Sequence, residues 1–159
     1  MKTMKLILAT MFLIAINLNG FAQDTKTDTI NLIVIDSLYQ AFAKGDIPTV
    51  LGLMDKKIVW NEAEGNSLAD GNPYIGPEAV LNGVFTRIGP LYKSFAVKDV
   101  NLHEMSNNQV LATLRYEIVS KNDESYSVQV AHHYTLKDGK IIQFQQYADT
   151  KKLADAEKM

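Results

Sequence analysis

From Ser94 onward the chain alternates apolar and polar residues with a period of two, and this limits the possible folds more than any other feature. Val110, Ala112, Leu114, Tyr116 and Ile118 share one phase; Leu111, Thr113, Arg115, Glu117 and Val119 share the other. Tyr126, Val128, Val130, His132, Tyr134 and Leu136 repeat the pattern against Ser125, Ser127, Gln129, Ala131, His133 and Thr135. Successive strand side chains point to opposite faces, so these runs predict strands with one buried face. Asp138-Gly139 supplies the turn chemistry of a hairpin. The final strand is less regular: Ile142 and Phe144 fall in one phase, Ile141 and Tyr147 in the other, which predicts either a bulge or two covered faces.

Before Ser94 the period is mostly helical. Ile30, Ile33, Val34, Ser37, Leu38, Ala41 and Phe42 fall along one side of a helix that Thr27 or Asp28 can cap and Lys44-Gly45 can stop. Asp46 caps a shorter helix with Pro48 in its first turn and Val50, Leu51 and Leu53 facing inward. Residues 56–65 form a strand and residues 66–76 a polar loop. A third helix follows, with Pro77 and Glu78 at its start and Gly89-Pro90 at its end. Three helices around one early strand, followed by four consecutive strands, predict an α+β domain: an antiparallel sheet with helices packed on one face.

The N-terminus carries Lys2 and Lys5, an apolar run over residues 6–16, and small Gly20 and Ala22 at the −3 and −1 positions before Gln23. This is the pattern of a cleaved signal peptide over 1–22, with an apolar run too short to span a bilayer. The expected product is exported, periplasmic or secreted, and free of the membrane after cleavage. Losing Lys2 and Lys5 takes the formal charge from −2 to −4. A mildly acidic chain with no basic cluster argues against a nucleic-acid partner. With no cysteine, packing alone must hold the exported domain together. The expected organisation is a flexible segment over 23–29, one domain over 30–150 and a polar tail over 151–159.

Three blocks, "VWNEAEG" (59–65), "YIGPEAVLNGVFTRI" (74–88) and "AHHYTLKDGKIIQFQQYADT" (131–150), resemble the SnoaL-like, ketosteroid-isomerase-related branch of the nuclear transport factor 2-like superfamily. The resemblance covers roughly residues 30–152 and implies a cone-shaped fold, a curved antiparallel sheet wrapped around about three helices with a pocket at the wide end. It also implies a homodimer through the outer sheet face. It does not imply one reaction, since the superfamily includes isomerases, cyclases, hydrolases, dehydratases and non-catalytic binders. Trp60 and Glu62 match its W-x-E-A-E-G block, and His132 matches the His of A-H-x-W-T, with Tyr134 replacing the usual Trp. Phe144, Gln146, Tyr147, Asp149 and Thr150 match F-x-Q-Y-x-D-T.

Among these residues, Asp149 is the candidate general acid or base, because a carboxylate in an apolar cone has its charged form disfavoured. The bland alternative is a cap at the end of a strand. His132 lies in the apolar phase and can polarise a substrate or exchange a proton, or it can be a satisfied core histidine. His133 points the other way, so the pair does not chelate one metal, and neither a metal nor a cofactor is expected. Trp60, Glu62, Tyr74, Tyr134, Gln146 and Tyr147 complete the expected ligand-binding set. Two functions follow: an acid–base enzyme or a non-catalytic binder, each taking a small apolar molecule with a polar handle. A protein-interaction module using the outer sheet face is the third.

Overall fold

The structure, a computed structural model, describes residues 19–158; all but the last four residues of the expected signal peptide lie outside them. Helix α1 (Asn19–Ala43) runs through residues 23–29, where a flexible segment and a helix start were expected. No Gly or Pro between residues 21 and 43 interrupts the helix, so Thr27 and Asp28 become ordinary helical positions. The face of α1 against the core also differs from expectation. Asn31, Ile35, Leu38, Tyr39 and Ala41 are buried, whereas Ile30 and Ile33 are exposed. Apolar residues satisfy two phases of this helix, and contact with the sheet selects the phase that carries Tyr39 inward. Asp46 caps α2 (Ile47–Gly52) by accepting from the Thr49 N–H.

Strand β1 (Met54–Asn61) leads to a 3-10 turn at Ser67–Ala69 and a two-residue strand β2 (Tyr74–Ile75) within the stretch expected to be a loop. Strands β3 (Ser94–Met105), β4 (Gln109–Val119), β5 (Ser125–Lys137) and β6 (Lys140–Ala148) follow in succession. The single curved sheet has the order β2-β1-β6-β5-β4-β3. It is mixed rather than wholly antiparallel, because β1 lies parallel to β6 while every other pair is antiparallel. Asp138 and Gly139 both take positive φ in the β5–β6 turn, as an Asp-Gly hairpin requires. Pairing shifts register after Thr135, where Leu136 meets Ile141 and Thr135 meets Gln143. That bulge resolves the mixed phase of β6: Ile141, Phe144 and Gln146 face the core and Tyr147 faces out.

Between β2 and β3 the chain forms α3 (Pro77–Val80), a π turn (Leu81–Phe85) and α4 (Thr86–Leu91), with Pro90 accommodated in the last turn. The Tyr74 ring packs against Gly71 and Gly83, its hydroxyl donating to the Leu68 carbonyl at 2.7 Å and accepting from the Gly71 N–H at 3.2 Å. Arg87 clasps Asp70 beside it, at 2.7 and 3.0 Å. A Cβ at position 83 would overlap the Tyr74 ring. Gly83→Ala, which in an open helix would gain about 1 kcal/mol, is therefore expected to cost roughly 1–3 kcal/mol here. Urea denaturation reads the sign directly.

The polar tail expected over 151–159 is largely a helix, α5 (Thr150–Ala156). Leu153 and Ala156 are buried, and the Tyr92 hydroxyl donates to Glu157 at 2.7 Å. Two apolar residues three positions apart on one helical face suffice to dock the segment.

Candidate active site

Helix α1, the α3–α4 segment and the concave face of the sheet enclose a cavity of about 60 Å³, room for roughly four waters. Trp60, Phe144, Phe85, Phe95 and Tyr92 contribute rings to its walls, among aliphatic residues such as Leu38, Val84 and Leu153. Trp60 stacks on Phe144 at 3.6 Å between centroids, an alignment set by the direct β1–β6 pairing of these two residues.

One polar chain runs through this apolar shell. The Trp60 indole N–H donates to Glu62 Oε1 at 2.7 Å, and Asn66 Nδ2 donates to Glu62 Oε2 at 3.2 Å. Asn66 Nδ2 also donates to Gln146 Oε1 at 3.0 Å, which accepts the Ala63 backbone N–H as well. That backbone donor fixes the Gln146 amide, so Nε2 donates to the Tyr116 hydroxyl at 3.0 Å. Tyr116 is 2.7 Å from His132 Nε2, Tyr39 is 2.7 Å from His132 Nδ1, and Tyr134 is 2.9 Å from Tyr39.

Hydrogen counting shows what this chain can offer. Burial drives His132 down to about 3, so at neutral pH it is an uncharged imidazole with one N–H. Burial also raises Tyr39, Tyr116 and Tyr134 above the ordinary phenol value, keeping all three protonated. Three hydroxyls and one imidazole hold four hydrogens, and three short links join them; a fourth contact, Tyr134 to His132 Nδ1 at 3.3 Å, shares the ring nitrogen that Tyr39 already engages and so takes up no further hydrogen. One hydrogen is left for the cavity. It belongs to Tyr116 when Nε2 carries the imidazole proton, and to Tyr39 or Tyr134 when Nδ1 does. The cluster thus holds a donor ready for an oxygen placed among its members.

Glu62 is the buried carboxyl of the cavity, 2% exposed. Burial pushes it up to about 7, with the Trp60 N–H pulling in the opposite direction. Its charge in turn raises Tyr116 and Tyr134. Asn72 fixes its backbone, accepting from Glu62 N–H at 3.0 Å and donating to its carbonyl at 2.8 Å. The strand expected over residues 56–65 would place Glu62 and Glu64, two positions apart, on one face. Strand β1 instead ends at Asn61 and the chain turns, leaving Glu62 buried and Glu64 exposed.

Of the residues singled out from sequence, Trp60, Glu62, His132, Tyr134 and Gln146 line the cavity together. Asp149 does not: it caps α5, accepting from the Lys152 N–H at 3.2 Å, with its side chain 39% exposed. The switch from strand to helix at this position takes the carboxylate to the surface as a cap, correcting its place in the pocket. Asp149→Ala is expected to cost about 1 kcal/mol of stability. Tyr147, 57% exposed, lies on the outer sheet face, one position out of phase with Gln146. Tyr74 serves the clamp between Gly71 and Gly83 rather than the cavity. Sequence reading missed Tyr39, Tyr116 and Asn66 as site residues. Tyr116 shares the inward phase of its strand, and a polar tip beside His132 was its available signal; Tyr39 was hidden by the rotated face of α1.

Among the described residues no group of three or more His, Cys, Asp or Glu is placed to hold a metal ion, and no helix is long and apolar enough to cross a membrane.

Comparison with known proteins matches the SnoaL-like domain to residues 35–144. No curated protein matches the chain. Among solved structures, an NTF2-like protein from Burkholderia thailandensis is 24% identical with a TM-score of 0.74, over 81% of this chain and 98% of that one. A putative polyketide cyclase from Xanthomonas campestris pv. campestris is 16% identical with a TM-score of 0.70, over 82% and 98%. TerC, co-crystallised with polyporic acid, is 19% identical with a TM-score of 0.72, over 80% and 97%. At these identities the likeness is one of fold, and it matches a cone-shaped NTF2-like domain.

Proposed function

This chain belongs to the SnoaL-like domain family, and on that premise we propose that its cavity binds a small, largely apolar molecule through an oxygen handle and moves a proton on it without a cofactor. The observation that carries this reading is Glu62, a buried carboxyl held up to about 7 in the same cavity as a hydroxyl cluster with one donor to spare. Ionised, it takes a proton from carbon beside a carbonyl; the C–H electron pair moves into the new C=C bond and charge collects on oxygen. The spare O–H of the Tyr39–Tyr116–Tyr134–His132 cluster stabilises that charge. Where a C=C is conjugated with the enolate, return of the proton from Glu62 to its far carbon gives an isomerisation; attack by the enolate on a second carbonyl of the same molecule, with the Glu62 proton passing to the new alkoxide, gives a cyclisation. A proton-transfer group works best when it titrates near the operating pH, and Glu62 meets that condition at neutrality.

The experiment is proton exchange. An enolisable ketone incubated with the protein in D2O loses its α-proton signal by NMR. Glu62→Gln is expected to stop the exchange while the ketone still binds, and Asp149→Asn to leave it intact. Exchange unaffected by Glu62→Gln removes Glu62 from the chemistry. Ketone binding with no exchange in either protein selects the non-catalytic binder. That reading is favoured by the small size of the cavity.

Two further parts of the reading concern the whole molecule. The pattern over residues 1–22 supports export, for which the mature N-terminus at Gln23 is the expected mass-spectrometric result. The outer sheet face, with exposed Tyr147 beside a hollow lined by Asn101, Thr113, Arg115 and Ala131, supports a dimer through that face. Tyr147→Glu is expected to shift sedimentation to the monomer.

A further inference from the structure

The inner cavity alone falls well below the roughly 300–1,000 Å³ common for small-molecule sites. Immediately outside it lies a second hollow of about 450 Å³, between the end of α1, the start of α2, α4 and the start of β3. Five residues, Phe42, Phe85, Ile88, Tyr92 and Phe95, line both spaces, so the wall between them is one side chain thick. The hollow's outer rim adds Ile47, Thr86 and Ser94.

The backbone carrying this wall is pinned at both ends. Tyr74 wedged against Gly83 and the Arg87–Asp70 pair hold the front of the α3–α4 segment. At the back, Lys121 donates to the Gly89 and Tyr92 carbonyls at 3.2 and 2.8 Å, and Tyr92 binds Glu157. Rigid-body movement of α4 would break these contacts together. The half-buried phenylalanines pack on the core's edge and meet ring to ring, with no hydrogen bond on the side chain to fix them: Phe42 meets Phe85 at 5.8 Å and Phe95 at 6.5 Å, both edge to face. Behind them, Phe85 covers Trp60 at 5.7 Å and Phe95 covers Tyr116 at 4.7 Å, the two residues that flank Glu62, Asn66 and Gln146 in the polar chain.

We propose that Phe42, Phe85 and Phe95 form a side-chain gate joining these spaces into one two-chamber site, which takes an elongated apolar carbonyl compound. The carbonyl head occupies the inner chamber and the hydrocarbon body lies in the outer hollow. This rests on the function proposed above, since the inner chamber is where the carbonyl is received.

Two ketones separate the inference from that reading: acetone, a four-atom head matched to the inner chamber, and 4-phenylbutan-2-one, the same head with a body. Calorimetric titration of the full mature chain is expected to show the long ketone binding at least ten-fold tighter. Thr86→Phe and, separately, Ser94→Phe, both at exposed positions on the outer rim, are expected to weaken the long ketone at least ten-fold and the short one less than two-fold. Phe42→Ala is expected to speed association of the long ketone at least five-fold, followed by the emission of Trp60, the single tryptophan of the chain. Equal affinity for the two ketones, or equal loss of both in the rim variants, overturns the two-chamber site while leaving the inner carbonyl site standing. Binding of neither overturns both. An association rate unmoved by Phe42→Ala, with far-UV circular dichroism unchanged, overturns the gate.

Discussion

Stability of the folded chain is expected to stay nearly flat between about pH 4.5 and 6.5, and that plateau should disappear when either Glu62 or His132 is replaced. The two groups are perturbed by the same cause, burial, with opposite consequences. Glu62 moves from 4.5 to about 7, so the folded state holds a proton there that the unfolded chain has released. Its contribution is fully present below pH 4.5 and is lost as pH rises through about 7, amounting to about 3 kcal/mol. His132 moves from 6.5 to about 3, so the unfolded chain takes up a proton that the folded state refuses. Its contribution is present above pH 6.5 and is lost as pH falls toward 3, amounting to about 5 kcal/mol. Within the shared window the two slopes are equal and opposite.

The single variants expose each component. Glu62→Gln leaves only the histidine, so stability should fall steadily as pH drops from 6.5. His132→Gln leaves only the carboxyl, so stability should rise by about 3 kcal/mol as pH drops from 7 to 4.5. Urea denaturation followed by far-UV circular dichroism across this range measures all three curves. Parallel curves for wild type and both variants would mean that neither group is buried in the folded state.

The second large effect is on chemistry. Proton exchange into a bound ketone is expected to fall about 10²–10⁴-fold in Glu62→Gln, the usual contribution of a positioned acid or base. Tyr116→Phe removes a hydroxyl linked to both Gln146 and His132 and is expected to cost about 10²–10³-fold, as for one oxyanion donor. Abstraction requires the ionised carboxylate, so the exchange rate should rise with pH and level off above about 7. An Asp149→Asn protein should follow the wild-type profile, since that side chain caps α5 at the surface. Exchange abolished by Asp149→Asn would return the chemistry to the end of β6.

Much of the architecture was legible because period-two alternation and an Asp-Gly turn are local signals. His132 and Tyr134 followed from them, whereas Gln146 came only from the family block, because the mixed phase of β6 left its face open until the bulge after Thr135 decided it. Glu62 and Asp149 illustrate the limit. Both sit immediately after a strand end, where alternation stops and the next turn decides direction. A reversal at Glu64-Gly65 buries Glu62; a helix start exposes Asp149. The inward face of α1 depended on which of two apolar phases the sheet accepted, a tertiary choice. Helix α5 was hidden for a related reason: Leu153 and Ala156 are too few to stand out among charged neighbours, yet enough once a hydrophobic surface waits for them.

The buried, half-ionised carboxyl that shares its cavity with a neutral histidine is the centre of this chemistry. It is tested most directly by infrared titration of Glu62, taking the difference between wild type and Glu62→Gln in the protonated-carboxyl stretch. A band that disappears with a midpoint near pH 7 is expected. A midpoint near 4.5, the ordinary glutamate value, would show Glu62 in contact with water and remove the acid–base role built on it.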